Sequence, residues 1–162
     1  MAIMSSRLIR HQICIEELRQ LGAKVISIQG IMFYVKFKIK DTKISYMYHV
    51  KTDNTYYLER IKPYFMCIGD YKSEEDVIDI IKIDLEQFKN AMNSKNFNEF
   101  IEVDKSITKL VRYFEDLYLY YNVSKDDLGT IKDEVGVIID KIMEIKSRSE
   151  RVYHKKDPES FK

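Results

Sequence analysis

Few residues of this chain have types and spacings that could do chemistry. His11 and Cys14 stand three apart, one helical turn, and would together supply half of a metal site. No second pair follows at a matching distance. No metal and no cofactor are therefore expected, and Cys14, among apolar neighbours, is expected to behave as a small buried hydrophobe. Asp41, Asp53, Glu59 and Lys62 are the residue types that a metal-dependent nuclease gathers on adjacent strands. The stretch Glu59-Arg60-Ile61-Lys62 is one residue longer than the usual Glu-x-Lys, which in a regular strand sends the two charges to opposite faces. Turn and rim acids are the simpler reading. The chain has no phosphate-cradling glycine loop, no dinucleotide fingerprint, no H-E-x-x-H and no G-x-S-x-G elbow. The expectation is a non-enzymatic protein.

Two other sets of residues suit binding. Tyr34, Lys36, Lys38, Lys40, Lys43, His49 and Lys51 fall on one side of a sheet by alternation, opposite Phe33, Val35 and Phe37. Lysines neutralise phosphates and tyrosines stack on bases, so Tyr34, Lys36, Lys38, Lys43, His49 and Lys51 form a candidate nucleic-acid surface. The same lysines would equally serve a plain solvent-facing sheet, where they discourage edge-to-edge aggregation. The second set is Tyr118-Leu119-Tyr120-Tyr121. Four consecutive bulky residues point around a whole helix circumference, so Tyr118, Tyr120 and Tyr121 are candidates for a protein interface, or for packing on the sheet.

The elements that would carry these residues are legible in the apolar periodicity. A helix is expected over about 6–21, capped by Ser5 or Ser6 and stopped at Gly22. The period then changes to two. Val25–Gln29, 31–39, 44–50 and 56–61 read as four strands of an antiparallel meander, with turns at 40–43 and 53–54, a stop at Pro63 and the first helix over the apolar face. Residues 63–72 read as a connector. Three apolar seams follow: Ile78/Ile81/Leu85/Phe88/Met92, Phe100/Val103/Ile107/Leu110/Phe114/Leu117/Tyr121 and Leu128/Ile131/Val135/Ile138/Ile142/Ile145. They predict helices over 74–93, 97–122 and 125–150, with Ser73 and Ser124 as N-caps. Each stripe must be hidden against the other helices or against a partner. Gly136 inside the last helix would allow a neighbouring helix to come close.

The predicted fold class is thus α+β: an N-terminal helix plus a four-stranded antiparallel meander over 1–72, then an antiparallel three-helix bundle over 73–152. A tail over 153–162 has no periodicity and is expected to be disordered. With 162 residues, 45% apolar and 33% charged, and only five glycines and two prolines, the composition is that of an ordered chain. Two cysteines rule out a disulfide framework, the start lacks the pattern of a signal peptide, and no apolar run approaches the roughly 20 residues of a membrane span. A cytoplasmic protein without membrane contact is expected. The net charge of +1 hides an asymmetry: residues 1–62 carry 11 Lys/Arg against 5 Asp/Glu, and residues 63–147 carry 11 against 18. The functional expectation is an interaction or regulatory protein that docks a protein partner or self-associates. The alternative is nucleic-acid binding through the Tyr/Lys face.

Overall fold

The computed structural model describes residues 2–24, 30 and 32–161. Helix α1 spans Ala2–Gln20, beginning four residues before the expected start. It ends where Gly22 adopts a φ of +88°, so that the amides of Gly22 and Ala23 donate to the carbonyls of Arg19 and Leu18. That is the glycine-terminated helix end in which a left-handed residue closes the last turn. The strand expected over Val25–Gln29 lies outside the described residues.

Strands β1 (Met32–Ile39), β2 (Thr42–Val50), β3 (Tyr56–Lys62) and β4 (Met66–Tyr71) form one antiparallel sheet in the order β1-β2-β3-β4. The four-stranded meander is therefore present, but its last strand is the segment that reads as a connector. The reason is a bulge. Leu58 pairs with Gly69 and Glu59 with Cys67, leaving Ile68 as an extra residue that breaks the two-residue alternation a sequence reading relies on. Gly69, at a φ of +149°, occupies backbone space that side-chain-bearing residues avoid.

Three helices follow: α2 (Glu74–Ala91), α3 (Phe97–Tyr120) and α4 (Lys125–Arg148). The hydroxyls of Ser73 and Ser124 accept the amides of Asp76 and Asp127, as the capping signatures require. The sheet is covered by α2 rather than by α1. Ile44, Tyr46, Tyr48 and Leu58 point inward from β2 and β3 and close on Val77, Ile81, Phe88 and Met92. Of the described apolar side chains of α1, Ile9, Ile13 and Leu18 are exposed and Ile15 is half-buried.

Charge is buried in this core. Arg60, 3% exposed, follows Leu58 on the inward parity of β3. Its Nη1 donates to both carboxylate oxygens of Asp84 at 2.7 and 2.9 Å, and the Tyr46 hydroxyl donates to Asp84 Oδ2 at 2.7 Å. The guanidinium also lies 4.4 Å from the Tyr64 ring centroid and 4.8 Å from that of Phe88. Its Nε has no hydrogen-bond partner among the described residues, so the aromatic faces are its remaining compensation. Tyr64 and Phe88 in turn meet Phe97 and Phe100, which anchors the first turn of α3. At the other edge the Tyr48 hydroxyl donates to Glu74 Oε1 at 2.6 Å.

Two outcomes follow from this core. Asp84→Ala would leave the Arg60 charge buried without its partner, and urea unfolding should show a loss of about 3–5 kcal/mol. Burial first, and then the carboxylate partner, raises the hydroxyl of Tyr46 and pushes that of Tyr48 up to about 12, against an ordinary value near 10. The unfolded chain therefore releases these protons first, so the stability these two hydroxyls contribute is level below about pH 10 and falls as the pH rises toward 12. Urea midpoints measured from pH 8 to 11.5 should show this fall, and Tyr48→Phe should make it shallower.

Candidate functional site

The two surfaces singled out by sequence are both open, and each is built differently from its expectation. The first is the stripe of α3 and α4. These helices are 24 residues each, about 36 Å long, and neither buries a single residue among those described. Phe100, Val103, Ile107, Leu110 and Phe114 on α3, with Val135, Ile138, Ile142 and Ile145 on α4, remain between 41 and 52% exposed. The seams are not hidden against one another within this chain. Only near the 121–124 connection do Leu117, Leu128 and Ile131 become half-buried. Among the described residues nothing lies within 4 Å of where a side chain of Gly136 would begin, so none of the described helices uses the gap it leaves.

The opposite ends of this open hairpin are tied to α2. Phe97 packs on Phe88 where α3 begins. Where α4 ends, residues 150–161 run back along α2: Asn90 donates to the Val152 carbonyl at 3.3 Å, and Lys155 pairs with Glu86 at 2.7 Å. Arg151 holds this return together through the Tyr153 and Lys156 carbonyls and the Asp157 carboxylate. A cavity of about 900 Å³ lies between Gln87, Ala91, Ile142, Ile145, Val152 and Phe161. Of the charged groups around it, Arg151 is already paired with Asp157 and Lys156 with Glu159.

The three tyrosines at the end of α3 are exposed by 59% (Tyr118), 78% (Tyr120) and 70% (Tyr121). Tyr118 lies eleven residues beyond Ile107, about three turns on, and therefore continues the apolar stripe. Tyr120 points about 200° further round the helix. The tyrosine run is thus divided between the stripe and the opposite surface.

The second surface is the face of the sheet away from α2. Residues paired across strands share a face, and the pairs Tyr34–Met47, Lys36–Ser45 and Lys38–Lys43 place Tyr34, Lys36, Lys38 and Lys43 together. His49 shares this face but sits toward the other end, its ring 5.4 Å from Tyr57. Lys51 is engaged by Asp70 at 3.1 Å. Lys40 is a correction. It occupies the β1–β2 turn at a φ of +52° and reaches the helix side, where its Nζ donates to the carbonyl of Met92 at 3.2 Å. A cation there satisfies the end of α2.

Lys62 is a second correction. Met47 pairs with Glu59, Tyr46 with Arg60 and Ser45 with Lys62, so Ile61 is an extra residue and the parity is restored beyond it. Glu59 and Lys62 therefore share the outer face instead of opposing one another. Lys62 is the site residue that simple alternation misses, whereas Ser45 lies where alternation puts it. The one signal for Ser45 was its place between Lys43 and Met47 on the outward parity of β2.

Elsewhere Asp53 accepts from the amide and hydroxyl of Thr55, which hold its carboxyl below the ordinary range and mark it as a turn acid. Cys14 and Cys67 are both exposed, so the expectation of a buried Cys14 is not met, while the His11 side chain lies outside those described. The Cys67 thiol meets the Tyr57 hydroxyl, a contact that with burial pushes the latter up to about 12. Among the described residues no group of three or more His, Cys, Asp or Glu is gathered that could hold a metal ion, and no helix is long and apolar enough to cross a membrane. Compared with protein-family models, with curated proteins and with solved structures, the chain has no match.

Proposed function

We propose that this chain is a non-enzymatic interaction protein that assembles with a second copy of itself through the apolar stripes of α3 and α4. The observation that carries the reading is that both 24-residue helices leave their stripes in water. A chain of 19.4 kDa that folds compactly exposes roughly 8,500 Å². This one exposes 13,636 Å². The excess is shared by α3, α4 and the exposed α1, and it leaves room for the roughly 1,000–2,500 Å² per chain that obligate dimers remove from water.

A second copy is the occupant that the helix lengths favour. Two equal-length antiparallel hairpins, set face to face about a twofold axis, make a four-helix bundle in which each stripe meets its own kind. Gly136 then gives a partner helix room for close approach. Tyr118 borders the contact with an apolar ring and a polar tip, and Tyr120 and Tyr121 extend the exposed aromatic surface at the end of the arm. The α/β head, held by its own core, would be carried in two copies by this arm.

Sedimentation of the wild-type chain should give twice the monomer mass. Ile107→Lys combined with Ile138→Lys should give the monomer with an unchanged urea transition of the head, because neither side chain is buried within the chain. A wild-type chain that sediments as a monomer at every concentration, or a double variant that still dimerises, would overturn the reading.

A further inference from the structure

Tyr34, Lys36, Lys38, Lys43, Ser45 and Lys62 line a shallow cavity of about 390 Å³ on the open face of the sheet. We propose that this cavity binds single-stranded nucleic acid, its four lysines holding the phosphodiester backbone and Tyr34 stacking on one base. No carboxylate lines it, and among the described residues none of the four lysines is in an ion pair. Glu59, beside Met47, marks where the basic end of the face stops.

The ordinary role of such lysines accounts most directly for the two on β1. Lysines on an edge strand prevent strand addition, which explains Lys36 and Lys38 on β1, an edge among the described strands. Lys43 and Lys62 lie on the inner strands β2 and β3, just beyond the points where the ladders to β3 and β4 end at Ser45 and Arg60. Lys62 reaches this face only because the bulge at Ile61 turns it there, and bulges are a common device for aiming a side chain at a site. Four like charges around one concavity repel each other in the free protein, and phosphates relieve that repulsion.

Tyr34 supplies the second element. Its hydroxyl donates to Ser45 Oγ at 3.1 Å, which fixes the ring, and Lys36 Nζ lies 4.9 Å from the ring centroid. With Lys36 over one face, the half-exposed ring takes an unpaired base on its other face, or on the same face once the lysine swings to a phosphate. In a duplex the base faces are stacked away from a protein ring, whereas an unpaired base leaves its face free. These features favour a single strand.

The experiment is fluorescence anisotropy with a labelled ten-residue oligothymidylate on the full chain. For four phosphate contacts the logarithm of affinity should fall with that of salt at a slope of about −2.8, a loss of roughly 50-fold from 50 to 200 mM. Lys43→Gln with Lys62→Gln should reduce the slope to about −1.4. Tyr34→Ala should weaken binding roughly tenfold, while Tyr34→Phe, which keeps the ring and loses only the bond to Ser45, should weaken it by less than about threefold. Lys51→Gln, outside the cavity, should change nothing. Each of the following overturns the proposal: no binding at 50 mM salt, an unaltered slope in the lysine variant, indifference to Tyr34→Ala, or equal binding of a duplex of the same length.

Discussion

The buried Arg60–Asp84 pair is the constraint on which the rest of the structure depends. Arg60 comes from β3 and Asp84 from α2, so the pair sets the helix at one position on the sheet. An apolar contact alone would tolerate a slip of α2 along the sheet, because dispersion and burial have little direction. A carboxylate that must meet a guanidinium and a tyrosine hydroxyl together does not tolerate it. The position of α2 then decides the rest. Tyr64 and Phe88 stack around Arg60, Phe97 and Phe100 pack on them, and α3 leaves the head in a direction set by that aromatic cluster. A change in the core therefore reaches the arm through rings and not through the chain alone.

Much of this was legible in the residues. The alternation of Ile44, Tyr46 and Tyr48 gave the buried face of β2, and Ser73 and Ser124 marked two helix starts because a serine followed three residues later by an acid satisfies orphan amides locally. What escaped depended on pairing between strands. Two bulges, at Ile61 and Ile68, insert a residue without any local signature, and they turned a strand into an apparent connector and moved Lys62 to the unexpected face. The ion pair had a signal of a subtler kind. Asp84 completes the Val77/Ile81/Phe88 stripe at helical spacing, and Arg60 follows Leu58 on the inward parity, so a charge lay on the inner face of each element. Only the packed structure brings the two together.

The periodicity of α3 and α4 was equally readable, but it specifies that a stripe will be covered and not by what. Within the chain the cover is missing over most of both helices, whereas the sheet and α2 close a core of their own. The division of labour proposed here follows from that contrast. A self-sufficient head carries an open basic face, and an arm whose stripes remain in water serves association. The acidic balance of residues 63–147 and the basic balance of residues 1–62 keep these two surfaces chemically distinct.

Amide hydrogen exchange, measured at low and high protein concentration, tests this division most directly. The account predicts that the sheet and α2 are protected at both concentrations, while α3 and α4 exchange quickly in dilute solution and become protected as a second copy covers their stripes. Exchange in α3 and α4 that is the same at every concentration, or protection of the head that appears only on association, would contradict it.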